Sequence, residues 1–106
     1  MAWAFLGIAG ILEIAFAYWM KSSEGFSRFM PALLTVVTGL SSVFLLSLSL
    51  RTLPLGTAYA VWTGIGAAGT AILGMAMLGD SVAPLRMFCI VLILGGVIGL
   101  KLVSGN

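Results

Sequence analysis

The chain has 106 residues, of which 61% are hydrophobic and 8% charged, with five basic and three acidic side chains giving a net charge of +2 and a mean hydropathy of +1.22. A water-soluble domain needs roughly a quarter charged residues to solvate its surface, so this composition excludes an ordinary soluble fold and makes lipid the solvent. The scattered Lys and Arg exclude the clustered basic face of a nucleic-acid binder, while one cysteine, Cys89, and no histidine leave no internal disulfide or metal-ligand cluster.

Charges, prolines and glycines interrupt the apolar pattern in three places and divide residues 1–106 into one domain of four spans. The first span is expected at about residues 3–20. It starts directly in apolar sequence, without a basic leader segment or a small-residue cleavage site, and is read as a retained membrane segment. Trp3 and Trp19 fall at its two ends, as an interfacial aromatic belt would place them. The polar stretch KSSEGFSR follows.

The second span is expected at about 29–50, with Pro31 tolerated in its first turn, where a missing amide has no helical partner anyway. Arg51 closes it, and RTLPLGT forms a short connection in which Pro54 stops the helix. The third span is expected at about 56–78 and the fourth at about 84–103, joined by GDSVAPLR. At 1.5 Å per residue each reaches about 27 to 35 Å, close to the thickness of the hydrocarbon layer. Arg86 and Lys101 lie near the ends of the fourth, where long stems reach the headgroups. The expected fold is an all-α membrane protein of four transmembrane helices.

Orientation follows excess Lys and Arg on the cytoplasmic side. Lys21, Arg28 and Arg86 fall on one face, Arg51 and Lys101 with the terminal amine on the other. With so little bias, copies are expected to insert both ways up and to pair as an antiparallel homodimer. Four short helices enclose little space alone, and two copies would enclose a cavity between them. Gly95 and Gly99, at small-xxx-small spacing with Gly96 beside them, are the candidate dimer contacts. The same glycines suit a helix contact within one chain.

Glu13 lies about ten residues from either end of the first span, near the bilayer midplane, where an ionised carboxylate costs several kcal/mol. No basic residue lies at that depth. One reading is a structural carboxyl that hydrogen-bonds helices together. The other is a functional site, because an amide or hydroxyl would serve structure without the risk of a charge. A carboxyl without a permanent partner takes either a proton or an organic cation, and one occupant excludes the other. That competition is the chemistry of an antiporter. In an antiparallel dimer, two copies of Glu13 would share the cavity and titrate as a coupled pair.

Leu6, Ala9, Gly10, Phe16, Ala17 and Met20 flank Glu13 on its helix. On the second span Thr35, Thr38, Ser42 and Ser49 form a polar stripe, facing either the bundle interior or carbonyls of their own helix. On the third, Tyr59, Trp62, Thr63 and Gly66 recur at helical spacing. Their aromatic faces suit a cationic substrate, and equally suit helix packing or anchoring at the belt. Gly64, Gly66 and Gly69 permit close packing or a bend.

Four spans, Glu13 in the first and LPLGTAYAVWTGIGAAG leading the third make a combination that resembles the small multidrug resistance family of bacterial transporters over essentially the whole chain. GTAYAVWTGIG together with GLK at 99–101 is most similar to the guanidinium-exporter branch. The resemblance implies an antiparallel dual-topology dimer in the bacterial cytoplasmic membrane that exchanges protons for a cation. By similarity, Glu13 is the shared proton and substrate site, Ser42 and Trp62 belong to the hydrogen-bonding network around it, Tyr59 lines the pocket or gate, and Gly95 and Gly99 fall in the dimerising fourth helix. Phe16 stands where that branch usually has tryptophan. It keeps the π-face but loses the indole donor, implying a pocket more tolerant of hydrophobic cations.

The leading expectation is a proton-coupled exporter of guanidinium-type or other small organic cations, with Ser42, Tyr59, Trp62, Phe16 and Thr63 forming the pocket around Glu13. The alternatives are an exporter of quaternary ammonium or lipophilic cations, a structural or regulatory membrane subunit, and one half of an obligate heterodimer. The expected partners are the organic cation, protons, lipids and a second copy of the chain. No cofactor and no metal are expected, and no enzymatic activity, since no nucleophile with its base and no phosphate-cradling loop stands out.

Overall fold

A computed structural model describes residues 1–103 of the chain, so positions 104–106 of the expected domain lie outside the described residues. Four helices follow one another: α1 (Ala2–Ser22), α2 (Phe29–Ser49), α3 (Leu55–Met77) and α4 (Pro84–Val103). Each has 20 to 23 residues and is long and apolar enough to cross a membrane. Against the expected spans, α1 runs two residues further at its C-terminal end and α3 begins and ends one residue earlier. Lys21 stays helical because its stem can carry the ammonium outward from the last turn.

α1 is capped by Ser23, which is fully buried. Its hydroxyl donates to the Met20 carbonyl at 2.7 Å and accepts the Phe26 amide at 3.0 Å. Glu24, Gly25 and Phe26 all have positive φ, which reverses the chain within a few residues and lays the Phe26 ring back toward α2. Arg28 then donates to the Ser22 carbonyl at 3.2 Å, so the turn is closed from both ends. Pro54, extended at φ −60° and ψ 145°, precedes α3. Past α3, Gly79 adopts φ +76° and the Asp80 amide returns to the Gly74 carbonyl at 3.1 Å.

The helices lie in the order α2, α1, α3, α4. α1 packs against both α2 and α3, α3 also packs against α4, and α2 and α3 touch only sparingly. The described chain measures 43 × 34 × 16 Å, so it is a slab little more than one helix thick. Its core gathers Leu6, Ala9, Leu46, Leu53, Ala58 and Val61 where α1, α2 and α3 meet. Close approach comes from glycine: a Cβ on Gly10 would meet the Ile65 side chain at 2.6 Å, and one on Gly39 would meet the Phe16 ring at 2.8 Å.

The outermost helix, α4, has Ile90 as its single buried residue among those described. Besides its backbone contact with α3, its C-terminal end is tied to the start of α1 by Lys101, whose Nζ lies 5.2 Å from the centre of the Trp3 ring. Gly95, Gly96 and Gly99 look onto open space, with nothing in the described chain within reach of an added Cβ.

Candidate functional site

Glu13 stands midway along α1, and its carboxyl lies against Gly66 of α3 so closely that a Cβ at Gly66 would overlap it. Oε1 is buried, and no described residue hydrogen-bonds to it. No described ion pair involves Glu13 either: the two present are Arg28 with Glu24 and Arg86 with Asp80. A carboxylate oxygen removed from water without a donor is costly.

One turn nearer the N-terminus of α1, three helices are joined by a hydrogen-bonded relay. Trp62 Nε1 donates to the Ser42 hydroxyl at 2.9 Å, and that hydroxyl donates to the Ala9 carbonyl at 2.6 Å. Helical geometry gives the same carbonyl the Glu13 amide, so the relay fixes the backbone turn that carries the carboxyl. Ser42 is 1% exposed. Ser42→Ala removes the acceptor of a part-buried indole N–H, which costs about 1–3 kcal/mol. The expected result is a lower unfolding midpoint in detergent and a changed Trp62 fluorescence, both measurable on the purified chain.

The remaining polar residues of α2 bond along their own helix. Thr35 donates to the Pro31 carbonyl, Thr38 to that of Leu34 and Ser49 to that of Leu46. Of the expected stripe, Ser42 alone among the described residues reaches another helix through its hydroxyl.

Two cavities meet at Glu13. The first, about 330 Å³, lies between α1, α2 and α3, with Glu13, Phe16, Gly39, Ser42 and Trp62 among its walls. The second, about 580 Å³, is a crevice between α1 and α3 that runs from Glu13, Thr63 and Gly66 to Asp80 and Arg86. Glu13 and Phe16 line both, so the carboxyl and the ring form the partition. Trp62 offers its indole to the first cavity, whereas the Thr63 hydroxyl is engaged with the Tyr59 carbonyl at 2.9 Å.

Of the residues singled out by sequence, Glu13, Phe16, Ser42 and Trp62 are brought together in the first cavity, and Thr63 joins Glu13 in the second. Tyr59 lines neither. It is 53% exposed, with its ring 5.5 Å from that of Trp62, on the outer side of α3. Gly95 and Gly99 line neither cavity; Gly95 is exposed and Gly99 lines a separate groove between α3 and α4. Sequence reasoning passed over Phe26 and Gly39 in the first cavity, and Asp80 and Arg86 in the second. Gly39 had a signal, since it shares a helical face with Thr35 and Ser42. The others depend on how the connections fold back.

A family profile described as Small Multidrug Resistance protein matches residues 1–93. The chain belongs to the small multidrug resistance family. Among its relatives, a protein of Yersinia pseudotuberculosis named guanidinium exporter is 56% identical over 104 residues, covering 98% of this chain and all of that protein. A guanidinium exporter of Citrobacter freundii is 50% identical over 102 residues, covering 96% and 97% of the two chains. Family membership and four membrane-crossing helices make this a multi-pass protein of the bacterial cytoplasmic membrane.

Proposed function

We propose that this small multidrug resistance protein exports guanidinium-type or other small organic cations in exchange for protons, with the two competing for Glu13. The observation that carries the reading is the unpartnered Oε1 of a carboxyl in the middle of α1, set between two cavities. A lone carboxylate there needs neutralising. A proton does so, and so does a planar cation that presents paired N–H donors to the two oxygens. Relatives of nearly full coverage that are named guanidinium exporters support this choice of cation.

The site works as the unit of an antiparallel homodimer. The slab leaves most of α4 uncovered, with Gly95 exposed and Gly99 in the groove beside α3, and small residues at this spacing let a second helix approach closely. A second copy would also close the crevice beside Glu13, giving each carboxyl a shared and better-enclosed compartment.

Adding guanidinium chloride to the purified, weakly buffered protein releases protons if the cation displaces them from Glu13. The expected result is saturable release whose midpoint moves to higher guanidinium concentration as the pH is lowered, because protons then compete better. A response to tetraethylammonium with none to guanidinium would overturn the choice of substrate. Release from the chain purified alone also shows that no second, different subunit is required.

A further inference from the structure

The crevice between α1 and α3 has a second acidic group that the proposed exchange at Glu13 does not use. Its charged lining residues are Glu13, Asp80 and Arg86. Asp80 follows the C-terminal end of α3 and Arg86 is in the first turn of α4. Met20, two turns beyond Glu13 on α1, lines the same space. The crevice therefore leads from the mid-membrane carboxyl to the membrane surface and ends at an Asp and Arg pair.

That pair is loosely made. Arg86 Nη2 lies 3.7 Å from Asp80 Oδ2, the side chains are 40% and 48% exposed, and the buried Arg86 Nε has no hydrogen-bond partner among the described residues. A guanidinium held well by a carboxylate makes two short parallel bonds, and this one makes neither. Asp80 is the fixed member: its amide bonds the Gly74 carbonyl at 3.1 Å, and its carboxyl fills the space that a side chain at position 74 would need. Arg86 is the long, flexible one.

We propose that Asp80 is an outer cation site at the mouth of the Glu13 crevice, where the Arg86 guanidinium is a built-in competitor that an incoming guanidinium-type cation displaces on its way inward. The inference rests on the reading of Glu13 as the inner exchange site. With Glu13 protonated, the three charged groups sum to zero; with Glu13 ionised, they sum to −1, matched by one monovalent cation. The mouth holds a carboxylate whose present partner already has the donor geometry of the substrate. Release of Arg86 costs little, because its contact is long and partly exposed. Asp80 binds the cation ahead of Glu13, raising its local concentration next to the crevice.

The test is guanidinium-driven proton flux in proteoliposomes of the full chain, measured against guanidinium chloride concentration at constant ionic strength. Asp80→Asn is expected to raise KM at least about twofold, with Asp80→Glu restoring it, and Arg86→Gln to lower KM by at least about twofold. Adding Arg86→Gln to Asp80→Asn has no further effect, because Arg86 acts through Asp80. Changes below about twofold, shifts in the same direction, or additive effects overturn the proposal.

A second measurement does not depend on transport. The Arg86 Nε–H resonance of the wild-type chain in detergent moves on titration with guanidinium chloride but not with sodium chloride, and keeps that response in Glu13→Gln. An unmoved resonance overturns the outer site. Undiminished flux in Glu13→Gln would instead overturn the inner one, so the two failures are told apart.

Discussion

Glu13→Gln abolishes guanidinium-driven proton flux in proteoliposomes, with the rate falling at least about 100-fold, or ~2.7 kcal/mol. The argument starts from what the substitution leaves intact. Gln has nearly the volume of Glu and a similar helix propensity, and no described residue hydrogen-bonds to Oε1, so no protein bond is lost there. A neutral amide is also cheaper to hold in a membrane than an ionisable group. The fold is therefore expected to persist or to gain stability, which thermal unfolding in detergent checks. The variant loses the negative charge and the proton site together. It can neither release a proton nor balance a cation, so binding-induced proton release disappears along with flux. Undiminished flux would reject exchange at this residue and restore the reading of Glu13 as a structural carboxyl. Glu13→Asp sharpens the contrast: it keeps the chemistry but withdraws the carboxyl by one methylene from Gly66, and retains part of the flux.

Much of this arrangement is legible in the residues. The spans end where Pro54, Pro84 and the charged connections stand, and a mid-membrane carboxylate points to itself by its cost. The glycines of α3 were legible as close packing, and helical rotation explains their different partners. Gly64 and Gly66 are two residues apart, about 200° around the helix, and so face α4 and α1 respectively; a Cβ at Gly64 would meet Val97, and one at Gly69 would meet Ile14. Which helix lay on which side of α3 required the fold.

The polar stripe of α2 shows a different limit. Every hydroxyl on a helix has the carbonyl of the preceding turn within reach, so spacing alone does not distinguish Ser42, which crosses to α1, from Thr35 and Thr38, which do not. Asp80 and Arg86 fall at the ends of spans, where charged side chains are ordinarily solvated, and both are half-exposed. Their place at the mouth of the Glu13 crevice is set by the positive φ of Gly79 and by the space above Gly74. Those are backbone properties with no pattern of their own in the sequence. Tyr59 shows the reverse: three residues from Trp62 it keeps nearly the same side of α3, with the two rings 5.5 Å apart, yet it lines neither cavity.

Gly66→Ala separates the position of the Glu13 carboxyl from the stability of the fold. In a helix, alanine is favoured over glycine by about 1 kcal/mol, and Gly66 has no positive φ that would strain it. The atoms nearest the added methyl belong to the end of the Glu13 side chain, its carboxyl and Cγ. That group is the tip of a flexible side chain, so it swings aside at small cost instead of pushing α1 from α3. The protein is expected to unfold at the same temperature as the wild type or higher. The displaced carboxyl, however, no longer stands in the partition between the two cavities, where it reaches occupants of both. Guanidinium-driven proton flux is expected to fall by about tenfold or more, ~1.4 kcal/mol or above. Gly7→Ala, on the same helix as Glu13 but with open space around its Cβ, is the control: it gains the same helix propensity and leaves flux unchanged. Wild-type flux in Gly66→Ala would mean that the working position of the carboxyl is not against α3, and that the crevice toward Asp80 is not its route. A loss of flux at unchanged or improved stability is the signature of a carboxyl that must be placed, and not merely present.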